Sequence, residues 1–221
     1  HRRHGNNQRP PALIPDRHAA TRNPRMINWH TLSPQDIERR AQSISPGEWA
    51  VDMHKPISTL LGSCVAVCMY DPAVGVGGMN HFMLPNMRKR EGGVDVDSLL
   101  SGDYAMEVLL NGILGRGGAR HRLKAKAFGG GTIISGIAAS GIGKRNADFA
   151  CEWLKREGIE LVASDFLGAC SRKVLFVPAT GDAWCRRMTT TMANAQEVAK
   201  AEQGYAESLK RPLPKSNVEL F

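Results

Sequence analysis

Short apolar segments and longer segments with helical spacing alternate along most of this chain. A period of two, or a short β-branched run, is typical of strands, and recurrence every three to four residues is typical of helices. Strands are predicted over residues 48–53, 58–61, 65–70, 76–84, 123–128, 159–165, 172–178 and 183–188. Helices are predicted over residues 31–40, 99–114, 146–157 and 189–209, and the last, rich in Ala and Glu, is expected to be exposed. The order of these elements predicts an α+β fold with β-hairpins, in which helices cover a sheet layer.

Two of the strands, 65–70 and 76–84, flank the turn sequence DPAVG at residues 71–75 and predict a hairpin. If Tyr70 pairs with Gly75 across that turn, Cys64 stands directly opposite His81 on one face, with Cβ atoms ~5 Å apart. A slip of one residue would put the two side chains on opposite faces. Their contact therefore depends on the register.

A thiol beside an imidazole is one way in which proteins make a nucleophile at neutral pH. The ion pair lowers the pKa of the thiol, and the thiolate attacks a carbonyl carbon. The bend Gly62-Ser63 just before Cys64 also aims backbone N–H groups at an oxyanion. The alternative is structural, with Cys64 as a small core residue and His81 as a polar residue satisfied within a strand.

Two motifs carry a family resemblance: LGSCVAVC at residues 61–68 and GGMNHFMLP at residues 77–85. With AKAFGGG at 125–131, IGKRN at 142–146, Gly158-Ile159 with Asp165, and the closing VELF, they resemble the chemoreceptor glutamine deamidases called CheD. The resemblance covers roughly residues 45–190. The first 25 residues do not share it.

The resemblance implies a layered fold related in its active-site geometry to bacterial toxin deamidases. It implies hydrolysis of glutamine side chains to glutamate on methyl-accepting chemotaxis receptors, through a thioester, with Cys64 as nucleophile and His81 as its partner. The family's third catalytic residue, a hydroxyl residue upstream of the cysteine, falls on Ser58 or on its neighbour Thr59. Substrate-positioning residues are expected at Gly62, Ser63 and Asn80.

The net charge of +8 does not indicate a nucleic-acid-binding protein, because the basic residues are concentrated at one end. Residues 1–25 hold six arginines against one aspartate, whereas the remainder is nearly neutral. This Arg- and Pro-rich segment predicts a disordered basic tail, followed by the deamidase domain over residues 26–195 and a C-terminal helix and tail over 196–221. A nucleic-acid-binding arm is the alternative for the tail. No apolar run is long enough to predict membrane insertion.

The five cysteines are odd in number and irregularly spaced, and no secretory signal is visible. This favours free thiols and a cytoplasmic location. Cys64 and Cys68 on one strand would lie ~13 Å apart, too far for a shared zinc ion. The glycines at 129–131 lack a complete phosphate-binding motif and predict a loop near the active site or a plain turn. Asn146, at the start of a helix, is expected to cap it or to contact substrate, and neither a metal nor a cofactor is expected.

Three functions remain open from the sequence. The first is the receptor deamidase, and the second is a non-catalytic adaptor that docks a CheC-type phosphatase. The third is another thiol enzyme, such as a transglutaminase or a protease, because the same pair of residues serves those reactions. Retention of both Cys64 and His81 favours an enzyme.

Overall fold

The computed structural model describes residues 27–85, 96–133, 141–188 and 192–209. The chain divides into two compact units, residues 1–31 and 32–221. Of the first unit, residues 27–31 are described and contain one 3-10 turn, Trp29–Thr31. The predicted tail at 1–25 and the end of the chain from 210 lie outside the described residues, so the predicted division into tail, domain and C-terminal segment stays a prediction.

The second unit is built from nine strands and four α-helices among its described residues. The strands are β1 (Gln42–Ser43), β2 (Trp49–Asp52), β3 (Ile57–Leu61), β4 (Val65–Asp71), β5 (Val76–Asn80), β6 (Lys124–Gly129), β7 (Glu160–Phe166), β8 (Ser171–Val177) and β9 (Asp182–Met188). The helices are α1 (Pro34–Glu38), α2 (Val96–Leu114), α3 (Ile142–Arg156) and α4 (Met192–Ser208). The predicted α+β class and both predicted hairpins, β4–β5 and β8–β9, are confirmed.

The strands form two sheets within the described residues rather than one layer. The larger has the order β2-β5-β4-β6-β7 and the smaller the order β1-β3-β8-β9. Helix α2 packs against β2, β4 and β5, and α3 packs against β4, β6 and β7. All seven residues of the central strand β4 are buried, as a strand covered on both faces requires. On one face Tyr70 contacts Phe176 of the smaller sheet, with ring centroids 6.3 Å apart.

The predicted register of the β4–β5 hairpin is wrong by two residues. Tyr70 pairs with Gly77 and Asp71 with Val76, so residues 72–75 form the connection. Gly75 lies in this loop with a φ of 66°, a left-handed conformation that suits glycine, and its N–H donates to the Asp71 carbonyl. Because the error is an even number of residues, it leaves the predicted side-chain faces unchanged.

Cys64 and His81 are therefore not directly opposite each other. Cys64 precedes β4 and His81 follows β5, where Val65 and Phe82 form an isolated bridge. Both residues lie in the connections at the same end of the hairpin. Within the described residues, no helix is both long and apolar enough to span a membrane.

Candidate active site

Cys64 lies in the bend between β3 and β4, which the backbone of a second loop holds in place. Beyond the end of β6, the Gly130 N–H donates to the Cys64 carbonyl (2.8 Å) and the Gly131 N–H donates to the Gly62 carbonyl (2.7 Å). Gly129 has a φ of 121°, and a Cβ there would collide with the Cys64 carbonyl oxygen. The glycine loop therefore passes directly beside Cys64, the candidate nucleophile.

Asn146 holds the same bend from the other side. Its Nδ2 donates to the Ser63 carbonyl (2.8 Å), and its Oδ1 accepts from the Leu84 N–H (2.9 Å). The prediction that Asn146 caps the helix is wrong, because α3 begins at Ile142 and Gly141 is the N-cap residue. The fully buried Asn146 instead ties the cysteine bend to the segment that follows His81.

His81 is fixed by its backbone and by one ring nitrogen. Its N–H donates to the Glu48 carbonyl (2.9 Å), and its own carbonyl accepts from the Gly47 N–H (2.8 Å). Its Nδ1 lies 2.8 Å from the hydroxyl oxygen of Thr59, and that hydroxyl also lies 2.7 Å from the Ile44 carbonyl. A carbonyl only accepts, so the single hydroxyl proton of Thr59 goes to Ile44, and Thr59 accepts from His81 Nδ1–H.

This network leaves Nε2 of His81 as the nitrogen with a free lone pair. Nε2 is buried and has no hydrogen-bond partner among the described residues. Burial lowers the pKa of His81 to about 4, so the ring is neutral at pH 7. A neutral imidazole with an unprotonated Nε2 is the form that can accept a proton.

The structure distinguishes the two candidate hydroxyl residues on β3. Consecutive strand residues point to opposite faces, and Thr59 is the one that meets His81. Ser58 is also buried and pairs in register with Ser43 and Leu175. Asn80 is engaged elsewhere: its Oδ1 accepts from the Val67 N–H (2.9 Å) and its Nδ2 donates to the Ala105 carbonyl (2.8 Å).

A residue that the sequence analysis missed, Glu202 of α4, lies against Cys64. Its Oε1 accepts from the N–H groups of Gly62 (2.8 Å) and Cys64 (3.0 Å). Its Oε2 accepts from the N–H (2.8 Å) and the hydroxyl (2.6 Å) of Ser63. The expectation that this helix is exposed is wrong for one face, since Glu202 is only 1% exposed. The sequence did contain a signal for this contact: Glu202 stands between Val198 and Tyr205 at helical spacing, on the face of the helix that these two residues would bury.

The surroundings of the two side chains disfavour the expected thiolate–imidazolium pair. Cys64 is fully buried, and its thiol pKa is raised well above the ordinary value, first by burial and then by the negative charge of Glu202. The thiol and the imidazole are therefore both neutral. Cys68 is also buried, with its thiol pKa raised by burial.

The sulfur of Cys64, a ring nitrogen of His81 and a carboxylate oxygen of Glu202 all lie within 4.8 Å of one another. Cys, His and Glu are zinc ligands, so among the residues that the structure describes these three form a set that could hold a metal. The carboxylate already accepts four hydrogen bonds from the cysteine bend, however, which is the environment of a bound anion. The arrangement accommodates a carboxyl group beside a nucleophile and its base.

Comparison with known proteins places the chain in a family. Residues 83–187 match the family model described as CheD chemotactic sensory transduction, a span that begins just after His81. The protein named "Probable chemoreceptor glutamine deamidase CheD 2" of Dechloromonas aromatica is 59% identical over 199 residues, covering 88% of this chain and 100% of that protein. The protein of the same name from Burkholderia thailandensis is 42% identical over the same shares of both chains.

Among solved structures, the hypothetical protein YfiH of Bacillus licheniformis has a TM-score of 0.37 at 12% identity, covering 59% of this chain and 60% of that one. A likeness of this size supports no argument. The sequence relatives do, because their identity extends over nearly the whole chain. The predicted resemblance is confirmed, and the chain belongs to the chemoreceptor glutamine deamidase CheD family.

Proposed function

We propose that this protein hydrolyses glutamine side chains of methyl-accepting chemotaxis receptors to glutamates, with Cys64 as nucleophile and His81 as general base and acid. The observation that carries the proposal is the free, buried Nε2 of His81, whose Nδ1–H is bonded to Thr59, in a ring that has one nitrogen within 4.8 Å of the Cys64 sulfur. The names of the relatives in Dechloromonas and Burkholderia support the substrate class. Action in the cytoplasm stays a prediction.

In the first half of the reaction, His81 Nε2 takes the proton of the Cys64 thiol. The thiolate attacks the carboxamide carbon of the glutamine, and the carbonyl oxygen becomes an oxyanion. His81 then returns the proton to the amide nitrogen, the C–N bond breaks and ammonia leaves. A thioester between Cys64 and the substrate side chain remains.

In the second half, His81 takes a proton from water, and the hydroxide attacks the thioester carbon. The C–S bond breaks, the sulfur recovers its proton from His81, and the side chain leaves as a glutamate. Water is the only reactant consumed besides the amide. Thr59 keeps Nδ1 protonated throughout, so the proton is exchanged at Nε2 alone.

The oxyanion is proposed to bind where the Glu202 oxygens now lie. The N–H groups of Gly62, Ser63 and Cys64 converge on that carboxylate from one bend. Backbone donors of this kind stabilise developing negative charge without reorganising. Gly62 and Ser63 thus act through their N–H groups, whereas the amide of Asn80 is engaged with Val67 and Ala105.

The test is mass spectrometry of purified receptor incubated with the full chain, following amide-to-acid conversion at each glutamine. Cys64→Ala is expected to reduce conversion to background, and His81→Asn to slow it by roughly 10²–10⁴-fold. Cys68→Ala is the matched control, because Cys68 is an equally buried thiol within β4 on the same segment of chain, and it should retain activity. Full activity in a folded Cys64→Ala protein would overturn the proposal.

The same assay separates the alternatives. A labelled primary amine in the mixture would be incorporated by a transglutaminase, and receptor fragments would appear with a protease. A non-catalytic adaptor would leave every glutamine unchanged. Docking to a CheC-type phosphatase stays a prediction, and co-purification of this chain with such a phosphatase would test it.

A further inference from the structure

The buried carboxylate of Glu202 has its hydrogen-bonding capacity filled by the bend that carries Cys64. Four donors from Gly62, Ser63 and Cys64 meet its two oxygens. Among the described residues it forms no salt bridge, so hydrogen bonds alone compensate for its removal from water. A group of donors that can hold an isolated carboxylate from a residue 138 positions away is a binding site for that group.

The group held there has the same chemical structure as the product of the proposed reaction. A glutamate side chain differs from a glutamine only in having a second oxygen in place of the amide nitrogen, and it has the same length. The carboxyl group of Glu202 lies within reach of the Cys64 sulfur and the His81 ring, where the scissile carboxamide would lie. Glu202 therefore occupies the position expected of a deamidated substrate residue.

Helix α4 delivers Glu202 on a narrow stripe. Val198, Glu202 and Tyr205, at positions i, i+4 and i+7, lie on one face, and Val198 is buried with Glu202. Tyr205 is partly buried on the same face, and this burial raises the pKa of its hydroxyl to about 12. On the other side of the helix, three polar residues are exposed: Glu197, Lys200 and Gln203.

Two glycines outside α4 allow this stripe of residues to approach the bend closely. A Cβ on Gly62 would lie 2.8 Å from Val198 Cγ1 and 2.9 Å from Glu202 Oε2. A Cβ on Gly47 would lie 2.5 Å from the ring of Tyr205. Because contacts below 3 Å require something to move, the surface around Cys64 is shaped to receive a helix at close range.

We propose that α4 is an internal product mimic, which fills the active site with Glu202 and must be displaced before a receptor glutamine can enter. This inference rests on the proposed function, since it assigns the position of Glu202 to the product of that reaction. It goes further in two respects. The described structure is a closed state, and the site accepts a substrate side chain that is presented on a helix.

The closed state also explains why the nucleophile is at rest. Cys64 is completely buried, so neither an amide nor water from solvent reaches its sulfur. The carboxylate beside it disfavours the thiolate, since two negative charges would then be adjacent. Displacement of α4 removes the cover and the charge together.

The decisive experiment replaces the carboxylate of Glu202 with an amide, so that residue 202 becomes a substrate for the site. In the full-length Glu202→Gln variant, the amide of residue 202 is expected to lose ammonia to the chain's own Cys64, which gives a thioester, and the thioester becomes glutamate once water enters the site. Peptide mass spectrometry would follow residue 202 over time. The rate should not depend on protein concentration, since the conversion occurs within one molecule. The Glu202→Gln/Cys64→Ala double variant measures spontaneous deamidation and should keep the amide.

Receptor deamidation by the wild-type chain is measured in parallel, so that the two proposals can fail separately. If receptor is not deamidated, the proposed function is wrong. If receptor is deamidated but the Glu202→Gln variant keeps its new amide, the product-mimic proposal is overturned. Glu197→Gln is the matched control on the exposed side of the same helix, and the amide introduced there should persist.

A second variant tests whether α4 covers Cys64, and this test does not require any catalytic turnover. Glu202→Ala removes all four hydrogen bonds to the bend and should raise the rate of iodoacetamide alkylation at Cys64 by at least about tenfold. Glu197→Ala should leave that rate unchanged. Equal alkylation rates in wild type and Glu202→Ala would show that α4 does not cover the site and would overturn the proposal.

Discussion

The two sides of Cys64 are held in different ways. On the body side, the bend at Gly62–Cys64 is tied to the glycine loop after β6 and to Asn146 of α3, through neutral groups buried among well-packed elements. On the other side, α4 reaches the bend through Glu202, a buried charge flanked by Val198 and Tyr205. A charge is costly to bury and readily rehydrated, whereas a satisfied neutral network is costly to open. By this reasoning the bend stays in place, and α4 is the element that can detach.

This contrast has a chemical purpose under the proposed mechanism. Backbone donors stabilise an oxyanion only if they are already in position, so the bend must not move during turnover. The surface opposite must move, since a receptor side chain has to enter. A firm site under a removable helix satisfies both requirements.

The largest expected effect comes from removing the hydrogen bonds that Asn146 makes on the α3 side of the bend. Asn146→Ala would leave the Ser63 carbonyl and the Leu84 N–H buried without their partner, at a cost of roughly 3 kcal/mol in the free energy of unfolding. Denaturant unfolding would measure it, and receptor deamidation should fall with it. Asp148→Ala, on the exposed face of the same helix, removes only a surface pair with Lys144 and should cost less than about 1 kcal/mol. Similar losses of unfolding free energy in both variants would show that the hydrogen bonds of Asn146 stabilise the fold no more than a surface ion pair does.

A smaller effect is expected from pH. His81 has a folded-state pKa of about 4 against an ordinary 6.5, so the unfolded chain takes up this proton first as pH falls. The folded protein should therefore lose about 2 kcal/mol between pH 7 and pH 5 through this group, despite the opposing charge of Glu202. Urea unfolding at both pH values, compared between wild type and His81→Asn, isolates the contribution. Equal losses in the two proteins would mean that His81 is not held neutral.

Thr59→Val tests how His81 is oriented. Removal of the hydroxyl leaves Nδ1–H without its acceptor and should lower the deamidation rate by about tenfold. Thr59→Ser should restore the rate, since it returns the hydroxyl alone. Ser58→Ala is the control on the opposite face of β3 and should retain activity. If Ser58→Ala is the slower variant, the third catalytic residue is Ser58.

The smallest effect is expected from loosening α4 without touching its charge. Val198→Ala removes two methyl groups from the buried stripe and should weaken docking by roughly 1 kcal/mol. Alkylation of Cys64 should rise about fivefold, a factor that follows from this energy. Lys200→Ala, on the exposed side of α4, is the control. A drop in the overall unfolding midpoint that matches the change in alkylation would show that α4 opens only when the whole domain unfolds.

The sequence determined most of the elements and indicated Cys64 and His81 as the candidate reacting pair. Apolar periodicity located the helices, and the strands other than β1, to within a few residues, because each period follows from local backbone geometry. The motifs around Cys64 and His81 indicated the chemistry, and the face on which each side chain lies survived a register error of two residues. Local patterns define faces, and faces repeat every second residue.

The tertiary structure decided which groups complete the site. Thr59 rather than Ser58 meets His81 because the smaller sheet sets the direction of β3, and Asn146 clamps Ser63 across 83 positions of sequence. Glu202 reaches the bend from 138 positions beyond Cys64, and no local pattern encodes such a contact. An acid on an Ala-rich helix has the same local preferences whether it faces water or four backbone and hydroxyl donors. Only the packing of α4 brings Glu202 to those donors. The burial of Cys64, and then the charge of Glu202, keep the thiol protonated.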